Sequence, residues 1–477
     1  MTIHWLDYAI IILYFFVVVY IGYWAMKKVT NFDDYAVAGR GLPMSIFFAA
    51  IAATLCGGGA TIGRVSFMHT TGIVVFAGLI GVVINQIFSG LYIAGRVHNI
   101  KNVYSVGDLF GLYYGRAGRL VSSIVCFFFC LGLYGVQILA MGAILQTAVG
   151  IDLIPAALIS SVITLAYTWS GGMLAVTMTD AVQYVIIIIG VSLCGYLAID
   201  HLGGFDAMMA TLNAMPRYES NLKLFSGWGP IQFAGLFLSF LFGEFCAPYF
   251  IQRYASTKSA KDSKNGLLIF GVHWIFFMAT TAAIGLASMA IQPDVKPDLA
   301  FTNLIRDILP PGITGLVFGA LLAAVMSTGA AMINTSAVIY TRDIYNKFIN
   351  TAATQAQLLR QSRLSTLVVG GISIGVAIIF QDVFGLMIYM FKLWPSAILP
   401  PLMCGLLWGK ISPYAGAPAV IAGGLSFFLW SDKVLGEPFG IPANLIGIGL
   451  NCLTLFVVHQ MMKRRVPSTG IYAPEVL

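Results

Sequence analysis

Ser327 and Thr328 stand side by side in a strongly apolar stretch, and with Ala324 they fall at i, i+3 and i+4, on one helix face. Hydroxyls and free backbone carbonyls are what a membrane-buried site can offer Na⁺, a hard cation that takes oxygen ligands. The plain alternative is that the two hydroxyls bond within their own helix or glue it to a neighbour. Three charges also stand inside apolar runs: Arg64, Glu244 and Lys392. A charge at membrane depth costs at least ~2.5–3.5 kcal/mol, so each needs a partner. They either pair with one another or meet a solute. Enzyme chemistry finds little support, with no HExxH, no paired aspartates in the apolar runs, and histidines scattered at His4, His69, His98, His201, His273 and His459. The seven cysteines all lie in apolar runs, which argues against a disulfide framework or a zinc site.

Those residues must be held by membrane-spanning elements. The chain has 477 residues, 59% hydrophobic and only 9% charged, against about 25% charged in soluble domains. A surface so poor in charge faces lipid, and the sequence reads as one transmembrane domain over 1–477. A span needs about 20 apolar residues. That ruler predicts about thirteen, near 5–26, 42–70, 72–96, 120–149, 154–170, 176–200, 230–252, 266–291, 313–340, 364–381, 383–409, 413–431 and 441–462. The first reads as a retained span and not a signal peptide, having no basic residues before it and no small-residue cleavage site after it.

The net charge of +7 is explained by orientation, not by nucleic acid. Alternating from Lys27 and Lys28, 19 of the 26 basic residues fall on one side, among them Arg253, Lys258, Lys261, Lys264, Arg360, Arg363, Lys463, Arg464 and Arg465. Five fall on the other: Arg217, Lys223, Lys296, Arg306 and Lys433. Positive charge stays inside, so the N-terminus is expected outside and the C-terminus in the cytoplasm. The short tail after the last span leaves no room for a sensor's output domain.

Two spans carry helix breakers. Gly57-Gly58-Gly59 interrupts the second at about 1 kcal/mol per glycine. Pro248, four residues after Glu244, interrupts the seventh by removing a donor and clashing with the preceding turn. Unwound backbone at membrane depth belongs in protein or beside a cavity. The two breaks lie five spans apart, so each opens a five-helix unit, about 42–200 and 230–409, of opposite topology. That is the layout of an inverted-repeat transporter with its site at the breaks.

At this point the sequence resembles the sodium:solute symporter family along nearly its whole length. The resemblance rests on Ala38-Gly39-Arg40 before Ala52-Ala53-Thr54-Leu55, and on Tyr167-Thr168-Trp169-Ser170-Gly171-Gly172 running on through Ala175-Val176 to Thr179-Asp180-Ala181-Val182-Gln183. It rests also on Pro248-Tyr249-Phe250-Ile251-Gln252-Arg253-Tyr254, on Leu322-Ala323-Ala324-Val325-Met326-Ser327-Thr328, and on Thr341-Arg342-Asp343-Ile344-Tyr345. It implies an all-α integral membrane protein with a leucine-transporter-type fold of five plus five helices, discontinuous at the breaks. It implies a Na⁺ site made by the carbonyls of Ala52, Leu55 and Ala324 and the hydroxyls of Ser327 and Thr328. Asp180, at the start of the sixth span, is expected near the ion's inward release path, with helix capping as the alternative. Relatives with a second sodium site use hydroxyls where this chain has Ala330 and Ala331, which puts a second ion in doubt.

Solute contacts implied by the resemblance are Thr54, Cys56 and Gly57 on the second span, Phe240 and Glu244 on the seventh, Gln137 on the fourth and Lys392 on the eleventh. The function expected is Na⁺-coupled import of a small organic solute, amino-acid-like or another polar metabolite, by alternating access. The partners expected are the solute, Na⁺ and membrane lipid, with a monomeric functional unit. The alternatives are an intramembrane enzyme and an uncoupled channel or sensor.

Overall fold

The computed structural model describes residues 3–225, 228–380 and 383–462. The expected span end at Asp382 and the basic tail Lys463, Arg464 and Arg465 lie outside the described residues. Long apolar runs close their backbone hydrogen bonds within the helix, as a bilayer requires. The principal helices are α1 (Trp5–Met26), α2 (Met44–Leu55), α3 (Ile62–Thr71), α4 (Val74–Phe88) and α5 (Ala94–Asn99). They continue with α6 (Val106–Val149), α7 (Leu153–His201), α8 (Pro230–Phe242), α9 (Pro248–Ser256) and α10 (Ala260–Ile291). The last are α11 (Ile313–Ile339), α12 (Gln355–Phe380), α13 (Val383–Ala397), α14 (Gly416–Trp430) and α15 (Ala443–Met461).

Among the described residues, eight helices are long and apolar enough to cross a membrane, or nine if one pair bent by 52° counts as a single span. The expected thirteen exceeds this for identifiable reasons. Two expected spans are each broken into short halves, α2 with α3 and α8 with α9. Two more share the unbroken helical run of α7, which turns at Gly172 with φ 51°. There a Cβ would sit 2.5 Å from the Tyr35 carbonyl oxygen, so only glycine fits. A similar turn at Gly115, φ 66°, folds the start of α6 back on itself. It brings Asp108 within 2.7 Å of Arg119, where eleven residues of straight helix would put about 16 Å between them.

The core lies around α11, which is buried along almost its whole length and packs on α2, α6 and α7. Asp7 of α1 accepts hydrogen bonds at 2.7 Å from the backbone N–H of both Gly312 and Gly315. A carboxylate on those free N–H groups suits the positive end of the α11 dipole. At the other end of α11 the chain winds into a wider turn over Tyr340–Ile349. There Asp343 joins Arg119 at 2.9 Å and so ties α11 to α6. The Thr341–Tyr345 segment thus serves as a clasp between two helices.

Candidate functional site

The two broken helices meet at the centre. α2 ends at Leu55 and the helix resumes at Ile62, while α8 ends at Phe242 and resumes at Pro248. Pro248, expected to interrupt the seventh span, lies on the far side of that break. It opens α9, at the first-turn position where its missing donor costs nothing. The free polar groups of both breaks are satisfied by side chains from neighbours. Gln137 of α6 accepts from the Gly58 N–H at 2.8 Å. Trp394 of α13 donates to the Phe245 carbonyl at 2.7 Å. Thr61 Oγ1 donates to the Gly57 carbonyl at 3.0 Å.

The hydroxyls of α11 reach across to the first break. Ser327 Oγ lies 2.9 Å from the Ala53 carbonyl oxygen and 2.8 Å from that of Ala324. Thr328 Oγ1 lies 2.6 Å from the Thr54 carbonyl oxygen and 3.0 Å from that of Ala324. Five oxygens from two helices thereby converge in a fully enclosed spot. Of the expected set, Ala324, Ser327 and Thr328 come together. The carbonyls facing them belong to Ala53 and Thr54. The Ala52 carbonyl, one residue before, accepts from the Cys56 N–H at 3.2 Å.

Beside this cradle is a small cavity of about 40 Å³, lined by Thr54, Leu55, Gly57, Gln137, Phe240, Glu244 and Thr328 together with Arg64, Trp274 and Phe391. Most of the expected solute residues thus share one cavity. Cys56 is buried in the break and does not line it. Lys392 is elsewhere. It faces a second cavity of about 440 Å³ with Trp228, Tyr389 and Asp432. There it pairs with Glu437, 3.0 Å away, from the loop between α14 and α15. Among the described residues, neither Arg64 nor Glu244 forms an ion pair within 4.0 Å. Arg64 is buried under Trp274, with its guanidinium 4.9 Å from the ring centre, and donates to Thr281 at 3.1 Å. Glu244 accepts a short hydrogen bond from the Tyr249 hydroxyl. Lys392 thus stands apart, while Arg64 and Glu244 line the same cavity within electrostatic reach of each other but without direct contact.

Asp180 is not a capping residue. It is fully buried in mid-helix, 2.9 Å from Arg253 Nη2, and the same nitrogen donates to Thr54 Oγ1 at 2.7 Å. Arg253, expected among the water-facing basic residues, is itself fully buried. One guanidinium therefore joins α7, the second half of the broken seventh span and the first break. Sequence reasoning missed Arg253, Trp274, Tyr249 and Trp394 as site residues. The available signal was an arginine only five residues after the Pro248 breaker.

Gly57 is required by close approach. A Cβ there would lie 2.3 Å from Thr328 Oγ1, 2.8 Å from Thr328 Cβ and 2.9 Å from Gln137 Oε1. Thr328 is β-branched and has few rotamers to escape into. Gly57→Ala is expected to cost ~1–3 kcal/mol at the site, which is roughly ten- to hundred-fold in apparent Na⁺ affinity. At Gly59 the clash is with the flexible Met387 thioether, so Gly59→Ala is expected to keep most activity. Na⁺ activation curves of uptake for the two variants check this, and equal losses would contradict it.

Paired broken helices around an enclosed oxygen cradle and an adjoining cavity define an ion-coupled secondary transporter with a leucine-transporter-type fold. Residues 35–423 match the sodium:solute symporter family. The chain belongs to that family; it couples import of a small organic solute to Na⁺. It is 25% identical to an osmoregulated proline transporter of Bacillus subtilis, over 96% of this chain and 95% of that one. It is also 25% identical to a sodium/proline symporter of Escherichia coli, covering 88% and 86%. Among solved structures, a substrate-bound, outward-open Na⁺-coupled sialic acid symporter superposes with a TM-score of 0.81 at 19% identity, covering 96% of this chain and 98% of that one. A closed nucleobase-cation-symport-1 family transporter superposes with a TM-score of 0.60 at 15% identity, covering 91% and 95%.

Proposed function

We propose that the chain imports a small zwitterionic, amino-acid-like solute together with one Na⁺, and that it catalyses no reaction. The observation that carries the solute class is that Arg64 and Glu244 line one cavity, in electrostatic reach of each other but, among the described residues, without a direct ion pair within 4.0 Å. A buried charge without a partner costs several kcal/mol. A solute with a carboxylate for Arg64 and an ammonium for Glu244 would supply both. The relatives named as proline carriers point to the same class. The cavity is too small for such a solute as it stands, so binding requires the broken helices to part, as alternating access demands.

Na⁺ is assigned to the cradle of Ser327, Thr328 and the Ala324 carbonyl, with carbonyls of the first break drawn from Ala52 to Leu55. Bound there, the ion would turn the lone pairs of both hydroxyls toward itself and join the first break to α11. The solute cavity begins at the same residues, Thr54, Leu55 and Thr328, so ion and solute would order one another. Asp180 and Arg253 would close the path to the basic face, which is cytoplasmic with the N-terminus outside. The two repeats would be 42–200 and 230–409, each protomer working alone.

Two expected outcomes test this reading. Ala330 and Ala331 offer no side-chain oxygen, so paired flux measurements are expected to give one Na⁺ per solute, and a ratio of two would refute the single site. Glu244→Gln keeps the shape and removes the charge. With L-proline as the first probe and a panel of amino acids after it, apparent solute affinity is expected to fall about tenfold or more, with Na⁺ binding little changed. Unchanged solute affinity with lost stability would make Glu244 a structural residue.

A further inference from the structure

We infer that the basic face carries a binding site for the headgroup of an anionic phospholipid, in the groove between α5 and the start of α10. The groove holds about 550 Å³ and is lined by Gly95, Arg96, Asn99, Lys261, Lys264 and Asn265. Its walls come closest at Gly90, in the wide turn Ser89–Ile93, where a Cβ would lie 3.2 Å from the Lys264 carbonyl oxygen. They are looser at Gly95, where a Cβ would make only ordinary contact with Ala260 Cβ at 3.7 Å.

Three cations face this space. Arg96 spends one guanidinium nitrogen on the Leu406 carbonyl at 3.0 Å. Among the described residues, the Lys261 and Lys264 ammonium groups take part in no ion pair within 4.0 Å. The one carboxylate close in sequence, Asp262, does not line the groove: it accepts from the Oγ of Ser259, the N-cap of α10, at 2.7 Å. The uncompensated charge therefore points into the groove. A soluble anion would satisfy it, but the surroundings favour a lipid. Directly along α10 from the lysines run the exposed apolar side chains Ile269, Val272 and Phe276, and beside Arg96 lie the half-exposed Leu91 and Tyr92. Together they offer acyl chains a path down both helices from a headgroup held at the rim. Basic pockets between membrane helices recognise anionic lipids in this way.

The test uses the purified full chain in detergent, with dioleoyl phosphatidylglycerol, the phosphatidylcholine of the same chains, and inorganic phosphate as probes. Bound lipid is counted by native mass spectrometry without Na⁺ or solute, so the result is independent of the transport reading. Phosphatidylglycerol is expected to be retained at least tenfold over phosphatidylcholine. Lys261→Gln with Lys264→Gln is expected to cut its retention roughly tenfold and leave phosphatidylcholine retention unchanged. Gly95→Trp, which fills the groove without touching a charge, is expected to do the same. An unchanged Na⁺-induced thermal shift shows that each variant is folded. Equal retention of the two lipids, or wild-type retention in both variants, would overturn the site. Displacement of phosphatidylglycerol by millimolar phosphate would overturn the lipid in favour of a soluble anion.

Discussion

Replacing Ser327 and Thr328 together by alanine is expected to abolish Na⁺ activation of uptake while the protein still folds into the membrane. Each hydroxyl spans the gap between α11 and the first break, at 2.9 Å from Ala53 O and 2.6 Å from Thr54 O. A hydrogen-bond-like contact to a charge is worth about 1.5–3 kcal/mol, so losing two is expected to weaken Na⁺ binding by at least ~100-fold. Single variants should fall between. The folding cost is smaller, because Ala53 O also accepts from the Cys56 N–H at 3.2 Å and only the Thr54 carbonyl loses a buried donor. Uptake measured over a Na⁺ series with K⁺ replacing Na⁺ at constant ionic strength decides it. A double variant with a wild-type Na⁺ curve would move the ion site elsewhere.

The second large effect is on stability. Arg253→Gln leaves the Asp180 carboxylate fully buried with Thr54 Oγ1, 3.5 Å away, as its only remaining side-chain neighbour of the trio. Breaking a buried pair from one side costs about 3–5 kcal/mol, since the surviving charge is uncompensated. A marked drop in the thermal midpoint of the purified protein is expected. Adding Asp180→Asn removes that charge, so the double variant should recover part of the loss, and the deficit left over measures the coupling of the pair. Thr54 belongs to both this trio and the solute cavity. The double variant should therefore fold yet leak solute through the basic face. Additive losses from the two single substitutions would show that the ion pair does not hold the elements together.

Much of this was legible in the sequence because it follows from backbone chemistry. Three consecutive glycines cannot be helical cheaply in a membrane, and the break at Leu55–Ile62 falls on them. Ser327 and Thr328 share a face by helical spacing alone, and that face meets the break. Long-range partners were not legible. Arg253 sits next to Lys258, Lys261 and Lys264 in the chain, so it reads as one of a water-facing group, and nothing local shows that Asp180, 73 positions earlier, meets it. Lys392 was expected inside a span, but its counter-charge Glu437 comes from a loop between two later helices. The turns at Gly115 and Gly172 fall between expected spans, so a connection was legible there, but not that helix runs up to the glycine on both sides. Ala52 and Leu55 were assigned by resemblance, and the carbonyls that touch the two hydroxyls are those of Ala53 and Thr54 between them.

The most direct measurement is equilibrium binding of radioactive sodium to the purified chain in detergent, with no solute added. Saturable binding of about one ion per chain is expected, insensitive to K⁺, lost in the Ser327→Ala/Thr328→Ala variant and retained in Glu244→Gln. Sodium binding that survives in the double variant, or that never saturates in the wild type, would contradict the cradle between α2 and α11 as the coupling site.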